Sequence, residues 1–132
     1  MYTRTELYKI SNIGGALVRP LFAEYANDIG LYTPDMVDTV MFGDHIKVDF
    51  TLEAEVPNKN VILPPNSMWL SLFDYKLIFP TETVAIMEAK LEHPIILQKE
   101  GSIIPIQRIL SKDAKSTTGL KNAGTRLSVL LN

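Results

Sequence analysis

A chain of 132 residues, 46% of them hydrophobic, is long and apolar enough to build one core rather than a disordered tail. Its 13 basic and 15 acidic residues leave a formal charge of -2 mixed along the chain, which excludes the strong field that draws in nucleic acid. The lack of cysteine excludes disulfides, thiolate metal sites and a cysteine nucleophile.

The first residues, Met1-Tyr2-Thr3-Arg4-Thr5-Glu6, are polar and carry no apolar core of a signal peptide. No apolar stretch approaches the ~20 residues of a membrane helix, so the expectation is a protein that is soluble or attached to something soluble. Thr3 and Glu6 stand at the spacing of a capping box, predicting a short helix from about Arg4. Leu7, Ile10 and Ile13 recur as one stripe expected to be buried, and Gly14-Gly15 supplies the stop. Ala16 to Phe22 then reads as a strand ending near Arg19, because Pro20 cannot donate to a ladder. Residues 23–44 mix acidic residues with Gly30, Pro34 and Gly43, which favours turns, with one helical turn starting at Asp35.

Everything that follows reads as β-structure. From His45 to Val56, apolar Ile46, Val48, Phe50, Leu52, Ala54 and Val56 alternate with polar residues, predicting one dry face and one wet face. Shorter apolar segments come at 61–63, 69–73, 76–79, 84–87, 95–97, 103–106 and 127–131, separated by Pro, Asn, Gly and Ser. Close strands with turn chemistry between them predict an antiparallel sandwich or small barrel. Residues 111–125 read as one long loop.

Chemistry-bearing residues are few. Asp44-His45 and Glu92-His93 pair a carboxylate with an imidazole, but neighbours on a strand point to opposite faces, so neither is a local dyad. His45 and Asp49 share a face roughly 13 Å apart, too far for a common metal or proton. Glu53 and Glu55, roughly 6–7 Å apart on one strand face, fall inside the carboxylate window for glycoside hydrolysis. Nothing there desolvates either acid, so a solvated polar face is the expectation. Asp35 and Asp38 read as a helix cap and a loop carboxylate. Trp69, Tyr75 and Phe73 are candidates for a sugar-stacking platform, with core packing as the commoner fate of such residues. No residue is assigned a catalytic, cofactor-binding or metal-ligating role.

The run Gly14 to Tyr25, GGALVRPLFAEY, closely resembles the segment of family 31 glycoside hydrolases that closes the catalytic (β/α)8 barrel. Later segments resemble the same family in order: Pro65-Asn66-Ser67-Met68-Trp69, then His93 with its apolar strand into Gly101-Ser102-Ile103-Ile104-Pro105, and finally the Thr117-Thr118 loop leading to Leu127–Leu131. This α-glucosidase-like resemblance covers nearly the whole chain. It implies a mainly β protein: an antiparallel β-sandwich preceded by a short helix and one strand left over from the barrel, around Leu17 to Arg19. Residues 1–44 would be the remnant of the barrel end and 45–132 the proximal C-terminal sandwich. The catalytic aspartates would lie upstream of Met1, and Arg19 would brace the barrel-to-sandwich junction.

The sequence departs from the family pattern at Glu100, Phe50-Thr51, Ser67 and Lys121, each expected to weaken a turn or a contact rather than a catalytic group. The function so implied is structural, supporting a glycosidase barrel supplied elsewhere. The alternative is a stand-alone carbohydrate-binding or protein-interaction module. Expected partners are that barrel, or a second copy through residues 1–44, and an oligosaccharide, with no nucleic acid, membrane or cofactor. The family resemblance allows a secretory or lysosomal origin.

Overall fold

The computed structural model describes residues 1–27, 32, 36–53, 56–64, 66–80, 83–89, 92–107 and 125–131. The helical turn predicted at Asp35, Ala54 and Glu55 of the long amphipathic segment, and nearly all of the loop predicted over 111–125 lie outside these residues.

Helix α1 runs Tyr2–Ile13 with Met1 at its N-cap and no side-chain cap bond. It therefore starts ahead of the predicted position, placing Thr3 inside the helix, and the predicted capping box does not form. Its end is as expected: Gly14 adopts φ 80 and its N–H donates to the Ile10 carbonyl at 2.8 Å. The buried stripe is not the predicted one. Tyr2 and Glu6 are buried, while Leu7 is exposed and Ile13 is 83% exposed.

What holds α1 is polar. The Tyr2 hydroxyl donates to the Phe42 carbonyl at 3.0 Å and accepts the His45 N–H at 3.1 Å, and the Glu6 carboxylate accepts from Lys9 at 2.8 Å. Gly43 makes this approach possible. It sits at φ +66, and a Cβ there would collide with the Tyr2 hydroxyl and come within 2.8 Å of Glu6 Cγ.

This docking carries a pH signature. Burial, opposed by the His45 N–H and aided by Glu6 and Asp44, pushes the Tyr2 phenol up to about 12 from its ordinary 10.0. The fold thus favours the neutral phenol, and the stability this lends is intact below pH 10 and lost as pH climbs toward 12. Thermal melts at stepped pH should show a fall worth up to about 2 kcal/mol across that window, and Tyr2→Phe should flatten it.

Antiparallel pairings join the strands into one six-stranded sheet and two ribbons. In the sheet, β1 (Val18–Pro20) forms an edge beside β2 (Thr39–Phe42), followed across by β3 (Ile46–Asp49), β8 (Ile95–Lys99), β5 (Trp69–Ser71) and β6 (Leu77–Ile78). One ribbon pairs β4 (Asn58–Ile62) with β7 (Val84–Glu88), and the other pairs β9 (Ser102–Gln107) with β10 (Thr125–Leu130). The short helix α2 (Leu21–Glu24) follows β1 and buries Leu21. The predicted class, a mainly antiparallel sandwich behind a short helix, is the one observed. The sheet runs unbroken across the position between residues 44 and 45, because β2 and β3 form a hairpin there.

The core gathers Leu21, Met41, Trp69, Ile95 and Leu97 against Val61 and Ile62 of β4, with Ala85 and Met87 of β7 packed alongside. It therefore lies between the sheet and the β4–β7 ribbon. The other face of the sheet is covered as well. Gln98, fully buried, has its Nε2 within 3.0 Å of the Ser102 hydroxyl and 3.2 Å of the Ser128 carbonyl, which ties β8 to the β9–β10 ribbon.

This double cover inverts the predicted amphipathic strand. In register, Lys47 lies between Met41 and Leu97, and Asp49 lies between Thr39 and Ile95, so both charges sit on the core side. Lys47 is 0% and Asp49 1% exposed. Ile46 and Val48 turn to the other face and are half-buried, while Phe50 and Leu52 are exposed. Alternation identifies the two rows of a strand, but with both faces covered it does not say which row enters the main core.

Candidate functional site

Arg19 is the node of the helix-to-sheet junction. Its Nη1 donates to the Ala16 carbonyl at 3.0 Å, and its Nη2 lies 3.0 Å from Glu24 Oε2, 3.1 Å from Asp44 Oδ1 and 3.2 Å from the Gly43 carbonyl. Around it, Lys9 approaches Asp44 at 3.7 Å and Lys99 approaches Glu24 at 3.8 Å. Each donor in this cluster faces an acceptor from the same chain. Its chemistry is that of a brace tying β1, α2 and the β2–β3 turn.

The two histidines are apart from any catalytic arrangement. His45 is half-buried beside the turn, with its backbone N–H used by Tyr2, and His93 is exposed with its ring 5.3 Å from that of Phe73. Asp44 answers Arg19 at 3.1 Å and Asp49 answers Lys47 at 2.5 Å, so each carboxylate has a basic partner other than His45. Glu53 is exposed, and Glu55 is outside the described residues. Among the described residues, no group of three His, Asp or Glu could hold a metal ion.

The aromatic candidates separate. Trp69 is 0% exposed in the core, and its indole N–H donates to Ser67 Oγ at 2.7 Å, so its ring offers no face to a sugar. Burial removes Trp69 from the sugar-stacking candidates and gives it the commoner fate, core packing. Phe73 and Tyr75 are exposed near the β5–β6 turn, where Tyr75 takes φ 56. Beside them Asp74 is held down to about 2 by hydrogen bonds from the Ser71 hydroxyl and Lys76.

Two of the family-pattern departures acquire contacts instead of losing them. The Ser67 hydroxyl accepts the buried indole N–H and donates to the Pro64 carbonyl. The Glu100 carboxylate accepts the Met68 N–H at 3.0 Å, leaving the left-handed turn position, φ 67, to Gly101.

Two concavities flank these elements. One of about 310 Å³ lies where β6, β7 and β8 meet, with Phe73 and His93 among its walls and Ile78, Met87 and Ile95 among its apolar contributors. The other, of about 320 Å³, is bounded by Asp38, Thr51, Glu53, Asn58, Lys59 and Asn60 together with three apolar side chains. Lys59 fixes its wall by pairing with Asp38 and donating to the Phe50 carbonyl at 2.6 Å. Sequence reasoning missed this second cavity. Asp38 read as a loop carboxylate, and its partner Lys59 lies on a different strand.

The fold and these contacts define an antiparallel sandwich domain whose charged residues are spent largely on internal bracing. The relatives agree. Residues 14–104 match the model of the glycosyl hydrolase family 31 C-terminal domain. A Schizosaccharomyces pombe protein named as an uncharacterised family 31 glucosidase is 31% identical over 110 residues, a stretch covering 81% of this chain and 11% of that protein. The chain thus belongs to glycosyl hydrolase family 31 and corresponds to its C-terminal domain.

Solved structures repeat the fold. The family 31 dextranase of Flavobacterium johnsoniae, in a complex with glucose, superposes with a TM-score of 0.70 at 23% identity, covering 87% of this chain and 14% of the dextranase. A family 31 α-xylosidase from a soil metagenome, in a complex with xylose, gives 0.66 at 24% identity, covering 76% and 14%. The chain spans only a small part of the length of these relatives.

Proposed function

We propose that this chain is the supporting sandwich of an α-glucosidase-like enzyme, and that hydrolysis belongs to a catalytic barrel it braces rather than to carboxylates of its own. The observation that carries this reading is the apolar surface around α1 and β1. Leu7, Tyr8 and Ile13 on the helix, then Val18 and Phe22, are all exposed in a segment whose polar side is already docked. β1 pairs only with β2 among the described residues, leaving one edge open. A large apolar patch beside an open strand edge marks a surface made to be covered. The resemblance of residues 14–25 to the barrel-closing segment names the occupant as a family 31 barrel. The Schizosaccharomyces pombe relative's name, a family 31 glucosidase, favours glucosidic substrates for the assembled enzyme. The stand-alone carbohydrate-binding reading is weaker, because Trp69 is spent on the core.

Two measurements test the proposal. The purified chain should leave a chromogenic α-glucoside unhydrolysed; turnover lost in Glu53→Gln would overturn the scaffold reading. Co-expressed with the barrel portion of the yeast relative lacking its own C-terminal domain, the chain should co-purify and restore hydrolysis. Leu7→Glu with Ile13→Lys should break that association while leaving the chain's own melting temperature close to unchanged.

A further inference from the structure

The face of the β9–β10 ribbon turned away from the sheet is apolar and uncovered. On the inner row Ser102, Ile104 and Leu130 are buried, and Gln98 ties the Ser102 hydroxyl and the Ser128 carbonyl to β8, which fixes the ribbon in place. The alternate row points outward. In register, Ile103 stands directly across from Val129 and Pro105 across from Leu127, while Leu131 follows at the end of β10. Ile103 is 56%, Leu127 64%, Val129 45% and Leu131 71% exposed, and none of these outward positions carries a charge. Single exposed apolar residues are ordinary, but neighbouring ones that form a charge-free patch on an anchored ribbon mark a surface made for contact.

We infer that this outer row is the second half of the docking surface begun by α1, so that Ile103, Pro105, Leu127, Val129 and Leu131 take up an apolar, uncharged patch of the family 31 barrel. The inference rests on the scaffold role proposed above and adds a second place where the partner sits. Continuity names the occupant. α1 lies against β9, and its first turn is linked to the end of β8 through one residue: the Tyr2 hydroxyl accepts the His45 N–H at 3.1 Å, and the His45 carbonyl accepts the Lys99 N–H at 2.8 Å. A partner seated on Leu7, Tyr8 and Ile13 therefore has the ribbon beside it. Charge sets the chemistry of the contact. Lys9, Arg19, Glu24 and Asp44 answer one another within the chain, and the ribbon row has no charge to offer, so an acidic or basic partner gains nothing here. Area separates the barrel from a second copy of this chain. Two ribbon faces of roughly 400 Å² each fall short of the ~1,200 Å² in total that a stable pair buries, whereas ribbon, α1 and β1 together offer one large partner roughly 1,000 Å².

The test measures association of the full chain with the barrel portion of the Schizosaccharomyces pombe relative. Ile103→Lys with Val129→Glu sets opposite charges directly across the ladder, which keeps the ribbon paired while removing its apolar face. This variant should hold its melting temperature and lose affinity for the barrel by roughly tenfold or more. A second measurement decides the matter if that variant fails to fold. The chain has no cysteine, so Leu127→Cys supplies a single exposed thiol, and its alkylation, read from the mass of this chain, should slow severalfold when the barrel is added. Suppose Leu7→Glu with Ile13→Lys breaks the association while the ribbon variant binds as the parent does, or the Leu127→Cys alkylation rate stays unchanged in the complex. Either result removes the ribbon contact and leaves the scaffold role standing. Failure of the parent chain to associate at all overturns both. A dimer of the free chain that the ribbon variant abolishes would assign this face to a second copy and overturn the inference.

Discussion

Lys47→Ala is expected to destabilise the fold by about 3–5 kcal/mol, because it strands the Asp49 carboxylate in the core without its counter-charge. Asp49→Ala should do comparable harm by stranding Lys47. The pair lies on the core side of β3, Lys47 between Met41 and Leu97 and Asp49 between Thr39 and Ile95, all of them buried. The double replacement Lys47→Met with Asp49→Leu removes both charges and fills the same space. It should therefore come out neutral or more stable than the parent, by up to about 4 kcal/mol. Urea denaturation of the parent, Lys47→Ala, Asp49→Ala and the combined Lys47→Ala/Asp49→Ala variant gives the coupling energy directly. Strict additivity of the two single changes would show that the ion pair is not formed. The pH dependence has a definite sign as well. Burial, opposed by Asp49, lowers the Lys47 pKa from 10.5, so the unfolded chain holds that proton more tightly than the folded one. Raising pH from the lowered value toward 10.5 should stabilise the parent through this group, and the double variant should lose that slope.

Much of the architecture was legible because local chemistry and final structure agree after residue 45. Each of the shorter apolar segments contains a strand, and the β9–β10 ribbon pairs two of them, whereas of the run predicted from His45 to Val56 the strand covers Ile46–Asp49. The ordered resemblance of segments supplied the family. What sequence could not show was the surroundings of each row of side chains. Leu7, Ile10 and Ile13 are apolar at helical spacing, but spacing does not say whether their counterpart lies within the chain, and Tyr2 and Glu6 took the inner side through contacts made about 40 residues away, at Phe42 and Gly43. The polar row of β3 turned inward because two of its members neutralise each other, a pairing that hydropathy scores as two wet residues. The polar cavity was illegible for a related reason. It is assembled from residues 37–38, 51–53, 56 and 58–60, and none of these stretches carries a motif alone. Only the crossing from β3 to β4 brings Lys59 to Asp38.

Trp69→Ala should cost about 3–5 kcal/mol, among the largest single losses available in this domain. The indole is wholly buried in a cluster drawn from both sides of the sandwich, with Leu97 and Ile95 from the sheet and Val61 and Ile62 from the β4–β7 ribbon. Truncation leaves a hole that the paired strands around it cannot close without breaking ladder bonds. Trp69→Phe keeps most of the apolar contact and should lose less, but it strips Ser67 Oγ of the indole N–H it now accepts at 2.7 Å. Ser67→Ala probes the same bond from the other side. It leaves the indole N–H buried and unanswered, for a loss of about 1–3 kcal/mol. These losses should appear as shifts in the urea midpoint with little change in slope.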